Sequence, residues 1–450
     1  MPAPSPVSSG AAAPEAPSFA QALRFWLKLG CVSFGGPAGQ IALMHEELVV
    51  RRRWISERRF LHALNYCMVL PGPEAQQLAT YLGWLLHRAR GGIAAGALFV
   101  LPSLVLLIGL SWLYVSQGQQ PLVAGVFAAI KPAVVAIVAQ AAWRIGRRTL
   151  QGPVAWTLAL AAFVASWWLA FPWIVLGAAL AGAALGRLAP RALSPPARHA
   201  PDAAAHAAAL IDDDTPPPPH ARRDPRRTAR VVALGCVLWV LPLLALVAWG
   251  GWSGVYTQMG WFFTQAALLG FGGAYAVLPF IMQGAVQHYA WLTTAQMIDG
   301  LALGETTPGP LIMIVAFVGF VAAWQLAPLG ESHRLAAAVL AACVVTWFTF
   351  LPSFVFILAG GPLVESTRGA LAFTAPLAAI SAAVVGVILK LAVFLAVHVF
   401  WPQGLSAPTD ATAWLIAVAA LVALQWLGRS VIELVLAAAA LGAVITLAGV

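Results

Sequence analysis

Charge is scarce in this chain: Asp, Glu, Lys and Arg make up 9% of its 450 residues, where a water-soluble domain carries about 25%. So few charges cannot solvate a globular surface, which excludes an ordinary soluble fold. Cysteine is sparse too. Cys31, Cys67, Cys236 and Cys343 stand singly in apolar segments; with no CxxC and no nearby His pair, they indicate neither a disulfide framework nor a metal site. Enzyme signatures are missing as well. His45, Glu46 and Glu47 begin like a zinc HExxH motif, but Val49 fills the last place. There is no GxSxG nucleophile elbow, and no phosphate-cradling GxxxxGK[ST] loop through which ATP would drive the protein directly. No catalytic residue, metal or cofactor is expected.

Apolar residues are abundant instead, at 61%, with 19 tryptophans. Nine stretches, roughly 92–115, 122–145, 153–170, 172–189, 231–250, 336–359, 370–398, 412–427 and 430–449, suit a crossing of the roughly 30 Å hydrocarbon core of a bilayer. Four more, at 22–45, 60–86, 258–285 and 297–325, are interrupted by Gly and Pro and are expected as broken helices or re-entrant hairpins. The fold class is therefore an all-α polytopic membrane protein. Residues 1–20 are expected to be a disordered tail, without the basic start or apolar run of a signal peptide. Residues 190–229, with SPP, IDDD and TPPPP, read as a disordered cytoplasmic linker, followed by a connecting transmembrane helix at 230–250.

Self-comparison shows a duplication. Phe25, Phe34, Gly35 and Gly36 match Phe262, Phe271, Gly272 and Gly273 at an offset of 237 residues, as do Trp54 and Ser56 with Trp291 and Thr293, and Pro71, Gly72, Pro73 with Pro308, Gly309, Pro310. After an insertion, Leu101, Pro102, Ser103 match Leu351, Pro352, Ser353, and Gly125 and Pro132 match Gly369 and Pro376. The repeats are expected at 21–189 and 251–450. Loop charge suggests their orientation: Arg88 and Arg90, then Arg144, Arg147 and Arg148, then the Arg-rich linker alternate with the uncharged loops 116–121 and 170–172, and basic loops stay cytoplasmic. Arg51 to Arg53, Arg58 and Arg59 put the other end of segment 60–86 on that same side; the segment then either dips in and returns or crosses against the charge rule. One connecting helix before the second unit makes the repeats inverted, the architecture of secondary transporters whose site forms at the repeat interface.

The candidate site residues lie in the broken segments. In SFGGPAGQ, Gly35 and Gly36 precede Gln40; in the partner string GFGGAYAV stand Gly272 and Gly273. Paired glycines let backbone N–H groups face a ligand, or serve a close helix contact. LPGPEAQQ carries Pro71, Gly72, Pro73, Glu74 and Gln76, and TPGPLIM carries Pro308, Gly309 and Pro310. Each PGP either kinks a helix or starts a half-helix whose amino terminus attracts an anion. Glu74, just after the first PGP, is placed to block or gate that terminus or to cap it; Glu305, before the second, has Met68 as its counterpart. Both acids are candidates for proton coupling, with capping or loop exposure as the alternative. Lys131, in the apolar run 122–143, is expected to meet substrate or a glutamate, with a purely structural pair as the alternative. Arg24 and Lys28 flank the first broken segment, as vestibule charges or as anchors.

These strings resemble the chromate ion transporter family in its long, two-domain form. SFGGPAGQIALMHEE, RRRWIS and LPGPEAQQLATYLGW in the first half, with FGGAYAVLP and TPGPLIMIVAFVGF in the second, carry the resemblance over nearly the whole chain. Ala274 departs from it, standing where a third glycine is expected. The resemblance implies export of chromate across the bacterial inner membrane and chromate resistance, with sulfate as a related oxyanion. An uptake permease for sulfate or another oxyanion, and a membrane-embedded enzyme, are the alternatives. The partners expected are the oxyanion, the lipid bilayer and a second copy in a homodimer, and not nucleic acid.

Overall fold

The computed structural model describes residues 14–34, 36–118, 120–188, 208–213, 215–216, 218–366 and 374–448. Gly35, most of the expected tail and the linker stretch 189–207 lie outside them. The described chain is helical: α1 (Phe19–Val32), α2 (Gly36–His45), α3 (Glu57–Val69), α4 (Glu74–Gln117), α5 (Pro121–Thr149), α6 (Pro153–Ala165), α7 (Phe171–Leu188), α8 (Pro225–Gly250), α9 (Val255–Leu269), α10 (Ala274–Met282), α11 (Thr294–Thr306), α12 (Ile314–Leu326), α13 (Arg334–Ser366), α14 (Thr374–Phe400), α15 (Ala411–Gln425) and α16 (Val431–Leu447). Six helical segments are long and apolar enough to cross a membrane, so the chain is an all-α membrane protein. Of the nine expected crossings, three form helices of 13, 15 and 17 residues, α6, α15 and α16. At 1.5 Å per residue these are about 20 to 26 Å long, short of the hydrocarbon thickness. A turn at Trp167–Leu169 ends the first of them, where the sequence suggested continuation to residue 170.

The element order repeats at the spacing of the matched residues. Both α2 and α10 run on into a π-helical turn, Glu46–Arg51 and Gln283–His288, and α3 and α11 have bounds 237 apart. Local chemistry explains part of the match. Ser56 caps α3 by accepting from the N–H of Arg59, and Thr293 caps α11 by accepting from that of Gln296, satisfying helix donors that have no intrahelical partner. Trp54 and Trp291, beside those caps, are both buried.

The Gly- and Pro-rich breaks are hairpin tips. Arg59 on α3 and Tyr81 on α4 both reach Glu365, the first 3.7 Å away and the second by a 2.7 Å hydrogen bond. Two positions 22 residues apart meet there only because the chain folds back at Pro71–Pro73. In the second half, Gly300 lies against the Phe317 ring around Pro308–Pro310, and Gly284 against the Phe262 ring around Gly272–Gly273. Helix α4 is itself bent back at His87 and Arg88, the latter at φ 60° and ψ −158°. Its arms 74–86 and 89–117 pack closely through Gly83, Gly91, Gly92 and Gly96, as separate α12 and α13 do in the second half.

The two halves interlock. Helix α5 packs on α15 and α16, while α14 packs on α6 and α7, so each half supplies the long helix that buries the other half's final pair.

The linker is not bare chain throughout. The described residues between 208 and 221 include a stretch along the first repeat, with Leu210 and Ile211 donating to the carbonyls of Arg53 and Trp54 and the N–H of Ser56 returning to Ile211. The stretch is anchored by burial of Ala209, Ile211 and Ala221, an apolar set too small to stand out in so polar a composition. Helix α8 begins at Pro225, ahead of the expected boundary at 230.

Gly72 and Gly309 hold the PGP tips at φ 119° and 102°. A side-chain carbon at 309 would fall 2.8 Å from Ser103 Cβ, and one at 72 would fall 2.6 Å from Ser353 Oγ. Replacing Gly309 with alanine should therefore cost about 1 to 3 kcal/mol, read as a lowered thermal midpoint of the purified protein in detergent. An unchanged midpoint would show that the tip tolerates a side chain.

Candidate functional site

The four tips meet at one place. The N–H of Gly72 donates to the carbonyl of Gly270 at 3.0 Å, and the N–H of Gly309 donates to that of Ser33 at 2.8 Å. Ser33 and Gly270 are equivalent in the repeat register, as are Gly72 and Gly309, so each PGP tip is tied to the opposite half's glycine tip by the same bond. Inside a membrane an unpaired backbone group is costly, and irregular chain is tolerated only where protein or a polar cavity satisfies it.

Buried polar side chains gather around this crossing. Gln40 donates its amide to the carbonyls of Gly309 and Ser33. Gln77 donates to the carbonyl of Pro71 at 2.8 Å and to Ser353 Oγ at 3.3 Å. Among the described residues, Ser33 Oγ, Ser103 Oγ and the Oε1 atoms of Gln40 and Gln77 are buried with no hydrogen-bond partner. Each such atom costs about 1 to 3 kcal/mol when unsatisfied, so the crossing is a concentration of unsatisfied polar atoms.

Both candidate acids stand at this crossing. Glu74 opens α4, whose preceding Pro73 provides no side-chain cap. Its carboxylate reaches across to the other half, with Oε1 3.3 Å from where a side chain at Gly273 would begin. Glu305 accepts a 2.8 Å hydrogen bond from Tyr275, whose hydroxyl in turn lies 3.9 Å from the position a side chain at Gly36 would take. The two PGP tips are not alike: α4 starts directly after Pro73, whereas Pro310 is followed by a 3-10 turn, Leu311–Met313, before α12.

Lys131 is elsewhere. It pairs with Asp299 at 3.3 Å, and Tyr114 donates to the same carboxylate at 2.9 Å. The group lines a cavity of about 520 Å³ with Arg334 and Gln296. None of the glycine or proline tip residues lines this cavity, so Lys131 is not gathered with them. At the far end of α13, roughly 45 Å from Arg334 along the helix, Glu365 forms the buried pair with Arg59 described above. The Lys131–Asp299 pair, held by α5 and α11, thus lies in one cavity with the start of α13, the far end of that helix carries Glu365 with Arg59 and Tyr81, and Ser353 stands beside the crossing between them.

The structure brings together Gly36, Gln40, Gly72, Glu74, Gly273, Gly309 and Glu305. Gln76 points along α4 to Thr80 at 3.1 Å, and Gly272 faces Val384 of α14. The sequence reading passed over Asp299, Tyr275, Gln77 and the two serines. Asp299 was visible as an acid in the apolar run MIDGLAL, and Ser103 and Ser353 as members of the matched LPS triplets.

No solved structure matches this chain. The chromate transporter family pattern matches residues 20–183 and 257–443, which takes in both halves and leaves out the tail and the linker. A chromate transport protein of Pseudomonas aeruginosa is 32% identical over 348 residues, 77% of this chain and 73% of that protein. One from Cupriavidus metallidurans is 28% identical over 398 residues, 84% of this chain and 82% of that protein. A probable chromate transport protein of Synechococcus elongatus is 29% identical over 306 residues. Matched across both halves, and built of membrane helices around a buried polar crossing, this chain belongs to the chromate transporter family and is a transporter, not an enzyme.

Proposed function

We propose that the protein exports chromate from the bacterial cytoplasm across the inner membrane and so confers resistance, with its basic loops and linker on the cytoplasmic side and its two halves in inverted orientation. The observation that carries this reading is the crossing of the four tips, where the Ser33 and Ser103 hydroxyls, buried without partners, stand at the tips from which half-helices start. Unpaired N–H donors and the positive end of a helix dipole favour an anion, and serine hydroxyls can donate to a tetrahedral oxyanion. Direction follows from charge. Moving one charge through 100 mV is worth about 2.3 kcal/mol, so a dianion leaving an inside-negative cell gains about 4.6. Uptake of the same dianion would need more than two accompanying cations, for which the site offers two carboxylates.

Chromate in everted vesicles should accumulate under an inside-positive potential, and sulfate should compete as a tetrahedral dianion of similar charge. Vesicles containing the inserted protein that fail to accumulate chromate would shift the assignment to another oxyanion.

Glu74 and Glu305 lie on opposite halves within reach of the same crossing, and a proton carried by either could be exchanged for the anion. Replacing both with glutamine should flatten the pH dependence of transport. A profile unchanged in the double variant would leave membrane potential as the driving force.

The Lys131–Asp299 pair beside the start of α13 and the Arg59–Glu365 pair at its far end serve as the closures between which the crossing is exposed to one side and then the other. Lys131→Ala leaves the Asp299 carboxylate unpaired and should cost about 2 kcal/mol, less than the roughly 3 to 5 of a fully buried pair, because the Lys131 side chain is 28% exposed. Adding Asp299→Asn should restore the thermal midpoint while transport stays slow. Full recovery of transport in that double variant would assign the pair to stability alone.

A further inference from the structure

A second pocket, distant from the crossing in its chemistry, opens where α4 bends and α8 begins. It holds about 950 Å³ and is lined by Arg88, Arg90, Arg227, His87 and His220 over an apolar floor that includes Phe19 and Leu86. Among its described lining residues there is no carboxylate. His220 donates from Nε2 to the Trp84 carbonyl at 2.9 Å; burial pushes its pKa down, and the guanidinium groups of Arg227 and Arg88 push the same way. The pocket is thus strongly positive, and its imidazole adds no charge of its own at neutral pH.

From this pocket an apolar groove of about 500 Å³ runs between α4, α8 and α13. Ala89 lines both spaces. On α8 the lining passes from Arg227 in the pocket to Val231, Leu234 and Leu238 in the groove, one helical face at i, i+4, i+7 and i+11. On α4 it reaches from Ala89 to Leu104, about 22 Å, longer than the roughly 15 Å depth of one leaflet's hydrocarbon. A cationic cup opening directly into an apolar channel of that length has the shape of an anionic phospholipid, with its phosphate above and an acyl chain below.

The backbone adds a separate argument. Arg88, at φ 60° and ψ −158°, occupies a region of backbone space used almost only by glycine. The bend would be less strained with glycine, yet it carries an arginine whose side chain lines the cup. Strain of this kind persists where surrounding structure holds it and is a pointer to function.

We propose that the cup of Arg88, Arg90 and Arg227, together with the groove between α4, α8 and α13, binds an anionic phospholipid of the leaflet the basic loops face. Clusters of basic residues at a membrane surface attract anionic headgroups, and the adjoining groove supplies a specific seat for the chain. The bound lipid would brace the bend of α4, whose first arm begins at Glu74 in the transport site, and so couple transport to membrane composition.

The test uses the purified full-length protein and lipid retention measured by native mass spectrometry, with phosphatidylglycerol and phosphatidylcholine of identical chains. Phosphatidylglycerol should be retained preferentially, and each of Arg88→Gly and Arg90→Gln should weaken its retention about fivefold. Arg88→Gly should do so without lowering the thermal midpoint, since it relieves the backbone, which separates loss of binding from loss of fold. Leu234→Trp, filling the groove, should weaken the long-chain lipid and leave a short-chain analogue unaffected. Equal retention of the two lipids, or unchanged retention in both arginine variants, would overturn the proposal. So would complete displacement of the lipid by inorganic phosphate, which would make the cup a site for free phosphate.

Discussion

Everything in this structure depends on how irregular backbone is satisfied inside a membrane. A helix that breaks in hydrocarbon exposes N–H and C=O groups that have no water to turn to. Here the breaks satisfy one another: Gly72 bonds to Gly270 and Gly309 to Ser33. Neither half can supply both partners of either bond. The duplication is therefore part of the chemistry, since two copies of one motif each hold the groups the other lacks. The same requirement sets the composition of the tips, where glycine admits close approach and proline presents no donor to be left unpaired.

Much of this was legible from sequence because the constraints are local and the duplication states them twice. The glycine and PGP strings marked the tips, and the scarcity of charge marked the bilayer. What sequence could not show was which tip faces which. The offset relates Gly72 to Gly309, but their bonds run to Gly270 and Ser33, a pairing that exists only in three dimensions. The partner of Lys131 was hidden for a related reason. Its depth in an apolar run announced a partner, yet the partner, Asp299, is 168 positions away on α11 and has His62 as its repeat equivalent, so the duplication gave no hint of it. The linker misled by composition: three small or medium apolar residues secure described residues between 208 and 221 to the first repeat in a stretch otherwise polar enough to look unstructured.

The halves are equal in plan and unequal in chemistry. Glu305 stands opposite Met68, Gln40 opposite Val277, Gln77 opposite Ile314, and the Lys131–Asp299 and Arg59–Glu365 pairs are built from non-equivalent residues. A symmetric scaffold with asymmetric lining lets two ends of one pathway differ in how firmly they close while the crossing between them keeps its geometry. Most of the strings that carry the resemblance to the chromate transporter family include the tips, where the backbone has the least freedom to vary.

The exchange of long helices between the halves bears on how the protein is made. Helices α6 and α7 leave the ribosome and enter the bilayer long before α14, which covers them, has been synthesised. Until then their inward faces, rich in alanine and glycine, meet lipid or insertion machinery instead of their final neighbour. Assembly of the first half must therefore wait on translation of the second, and a chain truncated within the linker would present a half-finished surface to quality control.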